Sequence, residues 1–308
     1  MSGPLAAILE HRGVLRAGGE DLIAYLQGIV SNDVARVAAD RALWAAFLTP
    51  QGKFLHEFFI SDLGGDPGGD LAGDLGGDFL LDCEAERLPD LLRRLTLYRL
   101  RSKVTLADAR ADFTVAVLFG EGALEALGLA AEPGQARPFG GGVVYCDPRL
   151  AALGARAILP RDGAEATLTE AGFTLGDVAD HDRLRMSLGV PDGSRDLEVE
   201  KSTLLENGFD ELHGVDWDKG CFMGQELTAR TKYRALIKKR LLPVAIEGPA
   251  PEPGTPVLSG ERQAGVMRSA SGDVGLALLR LEYLEGEHEP FTADAARITP
   301  SKPDWAVF

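Results

Sequence analysis

The sequence predicts an α+β protein that ends in a small β-barrel. Up to about residue 237, helical and strand patterns alternate without a fixed period. After Arg240, the prolines 243, 249, 251, 253 and 256 punctuate short runs with no convincing helix, a texture of closely spaced short strands. The 308 residues are enough for two or three domains at roughly 100–200 residues each. Composition and pattern together place an N-terminal α+β lobe at 1–108, a second at 109–237 and the β-domain at 238–308.

The elements follow in order. Leu22, Ile23, Leu26 and Ile29 fall at helical spacing after Glu20-Asp21, and Ser31-Asn32-Asp33 reads as a stop. Leu43 to Ile60 reads as two strands around Pro50-Gln51-Gly52, because aromatic β-formers flank a Pro-x-Gly turn. Residues 64–78 repeat a glycine–aspartate unit with seven glycines and no apolar face, the composition of an inert surface insertion. Phe79 to Asp82 resumes a strand; Leu88, Leu91, Leu92 and Leu95 mark an amphipathic helix, and Lys103 to Leu106 a short strand. Strands are expected over 113–119, 142–146 and 155–159, with a short helix near 122–127. Val178, His181, Leu184 and Leu188 define one face of a further helix, closed by Gly189-Val190-Pro191.

The chain is 45% hydrophobic and 26% charged, the balance of a globular protein. A net charge of −15 argues against wholesale coating of nucleic acid, and no apolar run approaches a membrane span. Three scattered cysteines, with no CxxC pair, argue against a disulfide framework and a zinc knuckle. Met1 to Leu15 carries no basic region followed by an apolar core, so a cytoplasmic location is expected.

Chemistry concentrates in a few places. Arg93, Arg94, Arg99, Arg101 and Lys103 form one basic island, and Arg230, Lys232, Arg234, Lys238, Lys239 and Arg240 a second. They are either two solvated faces or one cleft that attracts an anion. Cys221 lies just ahead of an expected helix over 225–234 and next to Lys219 in sequence. A helix N-terminus and an ammonium both favour thiolate, whereas a buried cysteine would be inert. Glu206 offers a carboxylate either as a surface or capping residue or as partner to adjacent ring N–H and amino donors.

The block Lys219-Gly220-Cys221-Phe222-x-Gly224-Gln225-Glu226, followed by Ala229-Arg230-x-Lys232-Tyr233-Arg234, resembles the signature of the folate-binding iron–sulfur cluster assembly and repair proteins related to the glycine cleavage T-protein (aminomethyltransferase). Tyr25-Leu26-Gln27-Gly28, Ser31-Asn32-Asp33-Val34, Leu48 to Lys53, Tyr98 to Val104, Arg185 with Gly189-Val190-Pro191, and Gly275 to Leu278 are similar to other blocks of that family, in the same order. The resemblance implies a three-lobed ring around a central folate channel, closed by the C-terminal barrel, with first lobes that can be interleaved in sequence. It implies tetrahydrofolate or a derivative as cofactor. Glu206, Arg185, Lys219, Gln225, Arg230 and Tyr233 are the cofactor-binding candidates, and Cys221 is the reactive thiol and a candidate transient iron–sulfur ligand. One cysteine cannot hold a four-thiolate cluster. Folate and iron–sulfur assembly or client proteins are the implied partners.

The chain departs from the T-protein pattern in three places, one of them Leu205 where a Pro usually precedes the carboxylate matched by Glu206. Leu184-Arg185-Met186-Ser187 lacks the acid that follows Leu-Arg-x there, and Pro89 stands at the catalytic aspartate's place, leaving Asp90 one residue out of register. The leading expectation is therefore a tetrahydrofolate-binding accessory protein for iron–sulfur cluster assembly or repair, transferase-like but without conventional aminomethyltransferase activity. A folate-dependent one-carbon transferase and a folate-dependent tRNA-modification factor stay open as alternatives.

Overall fold

The computed structural model of the chain describes residues 3–64, 78–234, 237–284 and 289–308. Most of the glycine–aspartate insertion, residues 65–77, lies outside the described residues. The chain divides into two compact units. One takes Met1–Phe47, His56–Val178 and His213–Met223; the other takes Leu48–Leu55, Ala179–Leu212 and Gly224–Phe308.

The first unit begins with β1 (Leu5–Ile8), β2 (Arg12–Gly18), α1 (Leu22–Gln27), most of β3 (Leu43–Leu48) and of β4 (Phe54–Asp62), and β5 (Phe79–Glu84). Next come α2 (Leu88–Arg99), β6 (Thr105–Asp108), β7 (Phe113–Phe119), α3 (Ala123–Ala126) and β8 (Ala136–Phe139). It ends with β9 (Gly142–Cys146), β10 (Ala155–Pro160), α4 (Ala164–Glu170) and β11 (Thr174–Leu175). Two sheets result, of order β3-β4-β5-β2-β6 and β11-β1-β7-β10-β9-β8. Neighbours in sequence, β1 and β2 enter different sheets, so the N-terminal segment is common to both. β3 is buried at all six positions and β4 at its first eight, which is why neither shows a two-residue alternation of apolar and polar residues. The expected stripe of α2 faces inward at Leu88, Leu91 and Leu95. The Tyr25 hydroxyl, on α1, donates to the Leu95 carbonyl and fixes one helix against the other.

Between the two sheets lies a network of buried charge that sequence reading missed. Arg12 on β2 donates to both Asp82 (2.7 Å) and Glu57 (2.6 Å), and Trp44 donates its indole N–H to Glu57. From β10 in the other sheet, Arg156 reaches the second Asp82 oxygen at 2.6 Å and lies 4.1 Å over the Phe59 ring. Asp82 and Glu57 are 0% and 1% exposed. Ions so deep are tolerated only because each is paired and hydrogen-bonded. The available signal was an acid within each of two largely apolar stretches, Glu57 in Phe-Leu-His-Glu-Phe-Phe and Asp82 in Phe-Leu-Leu-Asp-Cys.

The second unit contains α5 (Val178–Ser187), α6 (Gly193–Asp196), α7 (Gln225–Tyr233) and six strands. These are β12 (Lys239–Glu247), β13 (Pro256–Ser259), β14 (Arg262–Ser271), β15 (Val274–Arg280), β16 (Phe291–Ala293) and β17 (Ala296–Pro300). They close into a barrel in the order β12-β15-β14-β13-β16-β17, which removes every exposed sheet edge. Leu242, Val244, Val257, Met267, Leu279 and Phe291 are among the side chains that fill it. The fold is α+β with a C-terminal barrel, as the sequence predicts. α5 departs from expectation: its buried residues are His181, Arg185 and Met186, while Leu184 and Leu188 are half-buried. Arg185 turns inward because its partners, Asp196 on α6 and Ser269 on β14, are inside. No helix among the described residues is long and apolar enough to cross a membrane.

Candidate functional site

In the first unit the segment 213–223 is tied to α1 and the turn after it. Ser31 donates its hydroxyl to the Gly214 carbonyl at 2.6 Å, and Asn32 bridges the carbonyls of Trp44 and His213. The Asp216 N–H donates to Ser31 O, and the Met223 N–H to Gly28 O. Lys219 is the central tie. Its ammonium donates to the carbonyls of Gln27 (2.8 Å) and Val30 and lies 5.2 Å from the centre of the Phe222 ring. Carbonyls at a helix C-terminal end are natural acceptors for a cation. Burial pushes this ammonium down to about 8, against the opposing pull of Asp33 and Asp216. Gln27 closes the mesh: its amide binds Asp33 at 2.8 Å and its side-chain oxygen accepts from the Val34 N–H.

Cys221 is presented by this mesh. Lys219 and Met223 are hydrogen-bonded on either side of it, Phe222 is buried, and the cysteine itself is exposed. Gly220, at φ +93°, supplies the left-handed step that lifts the chain between Lys219 and the thiol. The expectation of an ammonium serving the thiol needs correcting: Lys219 points its donors at main-chain oxygens, so its role is to hold the loop. The other two cysteines are buried. Burial raises the Cys83 thiol far above its ordinary value and pushes Cys146 up to about 12, which makes both inert.

The second unit holds the remaining candidates. Glu206 sits in a short 3₁₀ turn, Leu205–Asn207, half-buried, with one carboxylate oxygen accepting from the Thr203 hydroxyl at 2.9 Å. The turn ends at Gly208, φ +73°, where a Cβ would come 2.6 Å from the Trp305 ring. α7 packs against this turn and carries Gln225, half-buried, and Arg230 and Tyr233, both exposed. Its start is fixed by Gly224 (φ +80°) against Gly52 (φ +74°), where a Cβ on Gly52 would lie 2.8 Å from the Gly224 carbonyl. The structure therefore brings Glu206 together with the helix of Gln225, Arg230 and Tyr233. Arg185 is elsewhere in the unit: it is 2% exposed, with donors on Asp182, Asp196, Val190 O and Ser269.

Each basic island is paired only in part within the fold. In the first, Arg93 and Arg94 both pair with Asp90 at 2.7 Å, and Lys103 pairs with Glu20. In the second, Lys232 pairs with Asp210 and the buried Arg240 with Glu211.

Asp90 has a further partner, His56, whose Nε2 lies 3.0 Å away and whose ring is 2% exposed. Burial, with the Arg87 charge, pushes this imidazole down to about 4 despite the pull of Asp90. Burial alone would raise the Asp90 carboxyl, but hydrogen bonds from Arg93, Arg94 and His56 hold it well below the usual carboxylate range. The sign of the linkage follows for His56. Between about 4 and 6.5 the unfolded chain binds the proton and the folded one does not, so stability rises with pH across that window. The contribution, on the order of 3 kcal/mol, is complete above pH 6.5 and lost as pH falls through 4. NMR titration of the ring should give a midpoint near 4; a midpoint at the ordinary histidine value would contradict this burial.

Residues 238–308 match the family described as CAF17, C-terminal beta-barrel domain, the stretch that forms the closed barrel. The chain is 35% identical over 312 residues to the human mitochondrial iron–sulfur cluster assembly factor IBA57, covering 96% of this chain and 84% of that protein. It is 33% identical to the mouse IBA57 protein with the same coverage. A crystal structure of the glycine cleavage system aminomethyltransferase T from Bartonella henselae superposes with a TM-score of 0.74 at 14% identity, over 97% of this chain and 85% of that one, and so shares the fold. The relatives are mitochondrial by name, which overturns the cytoplasmic expectation. That expectation rested on the lack of a secretion-type signal, which speaks to export and not to the mitochondrion. With identity above 30% along nearly its whole length, the chain belongs to the IBA57 family of iron–sulfur cluster assembly factors.

Proposed function

We propose that the protein is a tetrahydrofolate-binding accessory factor for the assembly or repair of iron–sulfur clusters in client enzymes, with Cys221 as its working thiol. The observation that carries this reading is the loop in which Lys219 and Met223 are tied to α1 while Cys221 between them is exposed. A soft thiolate held at a rigid surface point suits transient ligation of an iron–sulfur species handed to or from a partner. A single thiolate leaves the remaining iron positions to that partner. Membership of the IBA57 family supports the same task.

The folate half of the reading draws on the T-protein fold and on Glu206. A carboxylate offers about four acceptor positions, and Thr203 fills one. The rest suit the paired ring N–H and amino donors of a pterin, so the residues present fit the group. Gln225, Arg230 and Tyr233 on the adjoining helix supply amide, cation and ring for the remainder of such a ligand. Arg185, with its donors on protein groups, belongs to the frame that holds α5, α6 and β14 together. When bound, tetrahydrofolate supplies one-carbon chemistry; in this chain Asp90 is a poor proton acceptor for it, being already held by three donors.

Losing a charged hydrogen-bond partner weakens binding by roughly 1.5–3 kcal/mol. Glu206→Gln should therefore reduce tetrahydrofolate affinity about ten-fold or more in a calorimetric titration. Wild-type protein that binds no tetrahydrofolate would remove folate from the reading. Unchanged affinity in a folded Glu206 variant would remove only Glu206.

A further inference from the structure

The corner between α2 and β6 exposes more apolar surface than a solvent-facing turn requires. Leu100 is 87% exposed and Leu97 62%, and Ile23 on α1 is 46% exposed. Leu100 also sits at φ +49°, ψ −109°, a conformation that L residues avoid and glycine would adopt without strain. Glycine would relieve the backbone and delete the side chain. The corner is nonetheless rigidly placed: the Lys103 N–H donates to the Asp21 carboxylate at 2.7 Å and the Asp21 N–H to Lys103 O, binding it to the start of α1. An open hollow of about 730 Å³ lies there, lined by Asp21, Leu100, Arg101 and Ser102.

Charge decides what fits. Arg93 and Lys103 are exposed on this face, each with one carboxylate partner, and Arg101 forms no ion pair among the described residues. A face that is both apolar and cationic is unusual in a chain of net charge −15. Strained backbone and clustered exposed apolar side chains concentrate where a molecule meets a partner.

We infer that the Leu97–Lys103 corner is a docking surface for an acidic, amphipathic segment of a partner protein. Apolar side chains of that segment cover Leu97 and Leu100, and its carboxylates meet Arg101 and the rim cations. RNA would use the cations and leave the leucines exposed, and a basic partner would be repelled. This surface is independent of the folate reading.

The test is site-specific cross-linking in cells that express the full-length protein. A photoreactive phenylalanine analogue replaces Leu97, and the joined peptides are sequenced by mass spectrometry; the same analogue at Leu175, exposed on β11, is the control. The expected product at position 97, missing at 175, is a protein segment rich in Asp or Glu with interspersed apolar residues. Adding Leu100→Ala or Arg101→Glu should reduce its yield at least about ten-fold, the loss expected when an interface anchor is truncated. Both side chains are exposed, so the fold should be unaffected. Cross-links to RNA, lipid, a second copy of this chain or a segment without acidic residues would overturn the inference. So would the absence of any adduct, or a yield indifferent to both substitutions.

Discussion

Cells whose only copy carries Cys221→Ser should fail to restore activity to a dependent iron–sulfur enzyme, while the purified variant melts at the wild-type temperature and binds tetrahydrofolate normally. Cys221 is exposed and takes no part in the hydrogen bonds that hold its loop, so a hydroxyl of nearly equal size leaves packing unchanged. What changes is chemistry: a serine hydroxyl is a poor ligand for iron, whereas a cysteine sulfur is a soft and strong one. Cys83→Ser and Cys146→Ser are the controls. Both thiols are buried and held protonated, so those variants should keep full rescue unless the buried hydroxyl lowers stability. Full rescue by Cys221→Ser would end the thiol hypothesis.

The largest effect on stability is expected from Asp82→Ala. This carboxylate is 0% exposed and receives Arg12 from one sheet and Arg156 from the other. Its removal takes away the carboxylate that both guanidinium groups share, leaving Arg12 its bonds to Glu57 and to the main-chain carbonyl of residue 82, and Arg156 4.0 Å from Asp147. Breaking a buried pair by deleting one partner destabilises by about 3–5 kcal/mol, because the other charge stays buried without compensation. Urea unfolding followed by circular dichroism should show the midpoint fall accordingly. Glu20→Ala is the contrast: it breaks the exposed pair with Lys103 and should leave the midpoint where it was. An Asp82→Ala midpoint equal to wild type would mean that the two guanidinium groups find other partners.

Local pattern made much of this legible. The β3–β4 hairpin, the inward stripe of α2 and the strands β7, β9 and β10 all announce themselves through β-branched, aromatic or helically spaced residues. β1 is four residues of Leu-Ala-Ala-Ile and β2 contains two glycines, so neither carries a strong strand signal, and the sheets themselves hold them in place. α4, Ala-Glu-Ala-Thr-Leu-Thr-Glu, buries only Ala164 and Leu168, too little for a periodic stripe. The Lys-Gly-Cys block was visible as a resemblance, but Lys219 acts on carbonyls nearly two hundred residues earlier, a pairing no local window contains. The surroundings of Arg185 were hidden for a related reason. A cation on a short helix reads as exposed or ligand-facing until Asp196 and Ser269 are seen to close around it.

The proposed function has this protein serving iron–sulfur enzymes rather than carrying out aminomethyl transfer. The most direct measurement is the activity of [4Fe–4S] enzymes and of glycine cleavage, side by side, in cells that lack it. Loss of the iron–sulfur activities with glycine cleavage intact is the expected result, with wild-type protein restoring them and the Cys221→Ser variant failing to do so. Intact iron–sulfur enzymes together with a collapse of glycine cleavage would contradict the account.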